Sequence, residues 1–344
     1  MIFYAKPLSG MHVWPATLLA IAALSGAPRT AAGQDKQTSQ SEPSPKSSAA
    51  QTSSQPKAAS PQVQSSSRPK LRTFSSPQEA AEALYSAARN HDEDGMLVIL
   101  GPDSKDVIVW TEDPADRKAD ADLFVEKYGQ MHRLVREPDN ETTLYVGAEN
   151  WPLPIPLVKK DGAWYFDSGM GRREILYRRI GENELETIAV LHAMVDAENE
   201  FYSEVADSTG AHEYARRFNS DTGQRDALYW PGSKEPDESP IGPYLAQASY
   251  NRSDRKPLRG YYFRILTEQG PQAPGGAHKY IVDGKMTGGF AFVAFPAEYR
   301  ASGVKTFIVN QGGAVNEKDL GPMTAQLAKS MAVYNPDSTW TKVK

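Results

Sequence analysis

His192 and Asp196 are the pair in this sequence best placed for proton transfer. They lie one helical turn apart within 182–205, the spacing at which a carboxylate orients an imidazole. Glu200 follows two turns after His192, but no His-Glu-x-x-His pattern accompanies it, so the spacing describes no zinc site. A His on an apolar stripe is ordinarily a packing residue, and that is the plainer reading of His192. Asp113, Asp116, Asp120 and Asp122 form an acidic cluster without the alternating ligand spacing of a calcium loop, so they read as a solvated face. The sequence contains no Cys, which removes thiol catalysis, Cys-ligated zinc, iron–sulfur clusters and disulfides.

Other reaction signatures are missing. Neither a dinucleotide-type Gly-x-Gly-x-x-Gly nor a phosphate loop occurs, and turn geometry accounts for Gly275-Gly276 and Gly312-Gly313 better than phosphate binding does. There is no Gly-x-Ser-x-Gly elbow. A glycosidase carboxylate pair has no fixed spacing, so an envelope-polymer hydrolase using carboxylates or His192–Asp196 stands as the alternative to a binding role. The residues assign no catalytic group, no metal ligand and no cofactor. The reading they favour is a non-catalytic binding or assembly module, with Tyr128, His132, Trp110, Trp151 and Trp164 as candidate pocket residues.

The elements that would position those residues are legible in part. Ser76-Pro77-Gln78-Glu79 is a capping box with Pro at the first helical position, and Ala80, Ala83, Leu84, Ala87 and Ala88 continue a helix over 77–90. Short helices are expected over 96–100 and 119–132, the second ending at His132. Strands follow at 143–147, 155–160 and 163–167, and Asp161-Gly162 is a hairpin turn. Leu185, Ile188, Ala189, His192, Val195, Asn199 and Tyr202 form the longest helical stripe, over 182–205, and the acidic turn 207–213 follows it. Further on, strands are expected at 261–266, 280–282, 289–294 and 306–310, with a hairpin at Gly312-Gly313 and a helix over 323–333. The alternation there predicts an antiparallel sheet with one buried face.

These elements make an α+β protein in five segments. They are a targeting segment (1–33), a Ser/Pro/Gln-rich linker (34–72), an α+β unit (73–181), a bridging helix with loops (182–240) and an antiparallel-sheet unit (241–344). Lys6, the apolar run 13–27 and the small residues Ala31, Ala32 and Gly33 have the form of a cleavable export signal, with cleavage after Gly33. The run is shorter than the ~20 residues of a spanning helix, so no integral span is expected after cleavage. Residues 34–72 hold almost no large apolar side chains and form a flexible tether. Periplasmic or secreted localisation follows.

Charge narrows the partners. The full chain has 38 basic and 43 acidic residues, net −5, but 73–344 alone has 30 basic and 41 acidic. A folded part this acidic repels phosphate backbones, so no nucleic-acid role is expected, and the partner is an envelope component or a small ligand.

The stretches 151–167 (WPLPIPLVKKDGAWYFD), 174–186, 225–232, 260–299 and 317–322 resemble the bacterial exported family catalogued as domain of unknown function 2950. The resemblance spans about 73–344. It implies an exported Gram-negative protein and supplies no catalytic residues. By element order the first unit resembles NTF2-like or cystatin-like folds, and 260–318 resembles the globular heads of some pilin-like proteins.

Overall fold

The computed structural model describes residues 71–101, 104–105, 113–138, 140–210, 212–231 and 239–344, and the side chains of all of these but 205–209. Residues 1–70, where an export signal and most of a linker are expected, lie outside the described residues, as do Trp110 and parts of the expected 207–213 turn. The architecture is α+β, as the element order predicts.

The N-terminal lobe begins with α1 (Pro77–Arg89), α2 (Glu93–Leu100) and α3 (Pro114–Gln130). The start of α1 is capped as the sequence predicts on one side only. Ser76 Oγ accepts from Glu79 N at 3.1 Å, while the Glu79 carboxylate accepts from the N–H and hydroxyl of Ser75 rather than returning to Ser76. Those Ser75 hydrogen bonds hold the Glu79 carboxyl below its ordinary range. Asp92 and Asp113 cap α2 and α3 in the same way.

Five strands follow: β1 (His132–Arg136), β2 (Glu141–Val146), β3 (Trp151–Pro152), β4 (Leu157–Lys160) and β5 (Ala163–Phe166). They form an antiparallel sheet in the order β1-β2-β4-β5, with β3 paired to β2. Asp161 and Gly162 both have positive φ (51° and 83°), the geometry of a two-residue hairpin turn whose twist matches the strands. His132 therefore begins a strand, where the helical pattern places it at the end of α3. Helix α3 stops at Gln130 because Met131 turns extended and its carbonyl accepts from Gly147 N at 2.9 Å, which draws the chain into the sheet.

The helix α4 (Ser168–Thr209) is 42 residues long and starts 14 residues before the expected bridge. Gly169, Gly171 and Gly181 mask this start, since glycine lowers helix propensity by roughly 1 kcal/mol each. Asp167 supplies the missing cap, its carboxylate accepting from Met170 N at 2.9 Å. The first third of α4 belongs to the N-terminal lobe, where Arg178 donates to the Pro152 carbonyl at 2.8 Å. The remainder enters the C-terminal core through Leu191, Met194, Val195, Ala197 and Phe201. Between them, the Glu184 carboxylate accepts from Val304 N (2.8 Å) and Lys305 N (2.9 Å), and Asn183 donates to the Ser302 carbonyl.

The glycines of α4 yield a paired prediction. A Cβ on Gly171 would meet Ile155 Cγ1 at 2.5 Å and Ile155 Cα at 3.1 Å, whereas a Cβ on Gly181 meets nothing within 4 Å. Gly171→Ala is therefore expected to destabilise by about 1–3 kcal/mol through overpacking. Gly181→Ala is expected to stabilise by about 0.5–1 kcal/mol through helix propensity. Urea unfolding of the two variants checks this, and shifts of the same sign would contradict the packing described.

The C-terminal lobe adds α5 (Pro243–Gln247), the strands β6 (Tyr261–Leu266), β7 (Glu268–Gln269), β8 (His278–Lys279), β9 (Ile281–Val282), β10 (Lys285–Met286), β11 (Ala291–Pro296), β12 (Lys305–Asn310) and β13 (Asn316–Asp319), then α6 (Thr324–Ser330), β14 (Val333–Tyr334) and β15 (Thr341–Lys342). The main sheet runs β15-β13-β12-β11-β6, antiparallel throughout. A small sheet, β14-β7-β8, flanks it. The alternation predicts one buried face here, but every residue of β11 and five of six in β12 are buried, so both faces are covered. The cover comes from α4, remote in sequence, and from α6, which follows β13. Leu71 to Lys344 form one compact unit with an apolar core in each lobe.

Candidate functional site

The register of the first sheet decides which side chains share a face. Arg136 stands opposite Thr142, Thr142 opposite Leu157, and Lys159 opposite Trp164. Because strand side chains alternate, Leu134, Arg136, Thr142, Leu144, Val146, Leu157, Lys159, Trp164 and Phe166 all point to one side. The inner half of that face is closed: Leu144, Val146, Leu157 and Phe166 pack against Ala80, Leu84, Phe124 and Tyr128 of the helices. The outer half is open.

That open half is a groove of about 570 Å³. Leu134 and Arg136 line it from β1, Thr142 from β2, Lys159 from β4 and Trp164 from β5, with Pro77 and Gln78 opposite them at the start of α1. Phe74 holds α1 there, since its N–H and carbonyl pair with Trp164 at 2.8 Å each along the outer edge of β5. Asn140 and Asp161, on the two hairpin turns, form the lip.

The groove's charge is unlike that of the protein. Two bases face one acid in the lining, whereas the whole chain is net negative. Arg136 donates to the neutral Asn140 amide oxygen at 3.0 Å, and the Lys159 ammonium sits 5.9 Å from the Trp164 ring centroid. Among the described residues, neither base has a carboxylate partner.

The candidate residues read from sequence fall in different places. Trp164 lines the groove. Tyr128 is buried in the N-terminal core between Tyr85 (4.5 Å between ring centroids) and His132 (3.9 Å), and its burial pushes the phenol upward. His132 stacks on Tyr128 at the strand end, its Nδ1 3.0 Å from the Tyr128 carbonyl. Trp151 is half-buried on β3 under the Arg178 guanidinium. Trp110 lies outside the described residues.

His192, Asp196 and Glu200 are all exposed, on the solvent side of α4. The buried stripe of that helix runs through Leu191, Met194, Val195, Glu198 and Phe201, so the sequence pattern that centres on His192 is out of phase. Leu185, counted as an inward residue, is 70% exposed. Among the described residues, no group of three or more His, Cys, Asp or Glu could hold a metal ion, and no helix is long and apolar enough to cross a membrane.

Three residues with chemistry escape a reading of the sequence. Arg136 and Lys159 are brought together only by strand register. Glu198 is fully buried, with Oε2 accepting from Ala215 N at 2.8 Å and Oε1 without a partner. Desolvation pushes its carboxyl up to about 8, against an ordinary value of 4.5. Its place on the apolar stripe, four residues after Met194 and three before Phe201, is the available signal.

No curated protein and no solved structure matches the chain. A family model described as a protein of unknown function (DUF2950) matches residues 71–343, which is the whole folded unit, and the chain belongs to that family.

Proposed function

We propose that this protein is an exported, non-catalytic binding module of the bacterial envelope, with the groove on the N-terminal lobe as its ligand site. The observation that carries the reading is the groove itself. Its volume lies within the roughly 300–1,000 Å³ of small-ligand sites, and the apolar side chains of Pro77, Leu134 and Trp164 share its lining with six polar ones. Export rests on the pattern of residues 1–33, and residues 34–72 serve as a solvated linker ahead of the folded unit.

Both halves of the proposal are testable in the full chain. Expressed in a Gram-negative host, the protein is expected in the osmotic-shock fraction with a new N-terminus at Gln34 by mass spectrometry. Retention in the cytosol at full length would contradict export. A small-molecule fragment mixture is expected to slow hydrogen exchange over 132–142 and 159–164, and protection confined to the C-terminal lobe would contradict the groove as the site.

A further inference from the structure

Resting on the reading of the groove as a ligand site, we infer that its ligand is an amphipathic anion: a carboxylate or phosphate carried on a flat apolar body.

The charge arrangement carries the first half of this inference. This protein has an excess of acids available to pair with its basic side chains. Elsewhere in the same lobe the compensation is visible. Lys127 pairs with Glu149 at 2.6 Å, Arg117 with Glu93 at 2.9 Å and Lys118 with Asp122 at 2.7 Å. Arg136 and Lys159, like Arg133 and Lys160 beside them, have no carboxylate partner among the described residues, and the first two point into the groove. A concave wall with low-dielectric backing focuses the field of two unpaired cations on whatever enters it. Arg136 presents a planar fork suited to two oxygens of one anion, and Lys159 supplies a second, mobile point charge.

The apolar walls carry the second half. Trp164 is half-buried and sits between Phe74 and Lys159, so only part of its indole is covered. Leu134 and Pro77 form the facing walls, and Thr142 lies on the floor between the two cations. A flat apolar group fits between Pro77, Leu134 and Trp164 while its anionic end reaches Arg136 and Lys159. Stacking on the indole displaces the Lys159 ammonium toward that anion, so the two halves of the ligand cooperate. Asp161 at the lip disfavours a ligand carrying negative charge along its whole length, which argues for charge at one end.

The test is calorimetric titration of the full mature chain with three probes of one shape: 2-naphthoate, 2-naphthyl phosphate and the neutral 2-naphthalenemethanol. Both anions are expected to bind, and the alcohol at least about tenfold more weakly, the value of a charge-assisted hydrogen bond. Arg136→Gln and Lys159→Gln change exposed side chains and leave the core untouched. Each is expected to weaken the anions by about tenfold and to leave the alcohol unchanged. Trp164→Phe is expected to weaken all three. Whichever anion binds more tightly identifies the headgroup, carboxylate or phosphate. If all three probes bind equally and the two Gln variants have no effect, the anion inference fails while the groove remains a binding site. If none binds, both fail.

Discussion

Replacing Glu198 with glutamine is expected to abolish a loss of stability that the native protein suffers as the pH rises from about 5 to about 8. The argument is linkage. In the unfolded chain this carboxyl releases its proton near 4.5, and in the folded core it holds it to about 8. Between those values the folded state binds the extra proton, so stability from this group is complete below the lower value. It declines through the interval and levels off above the upper one. At about 1.4 kcal/mol per pH unit the loss across the interval reaches at most about 5 kcal/mol. The Glu198→Gln side chain keeps an oxygen to accept from Ala215 and places an uncharged amide where Oε1 has no partner. The two proteins are therefore expected to be of similar stability near pH 5, and the variant the more stable near pH 8. Urea unfolding at a series of pH values checks the difference directly. A difference that does not change with pH would show that Glu198 is ionised in the fold.

Gln269→Leu is expected to cost about 3–5 kcal/mol, because the side chain it removes satisfies four groups at once. Gln269 is buried, and its Oε1 accepts from the Tyr280 hydroxyl (2.9 Å) and the Asn310 amide (3.2 Å). Its Nε2 donates to the carbonyls of Pro274 (2.8 Å) and Gly276 (2.9 Å). One side chain thus anchors the Gly/Pro-rich excursion 270–276 to the centre of the sheet. Leucine of nearly the same size removes the acceptor that the Tyr280 hydroxyl and the Asn310 amide share, leaving them only each other. It also strips the donor from the Pro274 and Gly276 carbonyls, and a network with its hub removed is worse than none. Tyr280→Phe removes a single donor and is expected to cost only about 1 kcal/mol. Chemical denaturation measures both, and limited proteolysis is expected to cut the leucine variant within 270–276. Equal costs for the two variants would contradict the role of Gln269 as hub.

Local chemistry explains which parts of the fold can be read from sequence. The strand Tyr261–Leu266 is legible at its true bounds because β-branched and aromatic residues meet glycine at one end and a polar pair at the other. Asp161-Gly162 declares its turn because few residue pairs tolerate two positive φ values. Helix α4 reads short because three glycines outweigh a single capping Asp167 when only propensity is counted. The phase of its stripe is misread because a glutamate ordinarily faces water, and burial of Glu198 is a tertiary fact. The groove is legible only in Trp164. Arg136 and Lys159 are 23 residues apart on strands that do not neighbour each other, and only the pairings through β2 set them on one face. Sequence periodicity carries no information about which strand lies beside which.

The most direct test of the groove as the working site is the indole spectrum of the protein labelled with nitrogen-15 at tryptophan, titrated with 2-naphthyl phosphate. The Trp164 signal is expected to move progressively to saturation while those of Trp230 and Trp340, in the C-terminal lobe, stay in place. A stationary Trp164 signal, or one that moves no more than the other two, would contradict the account.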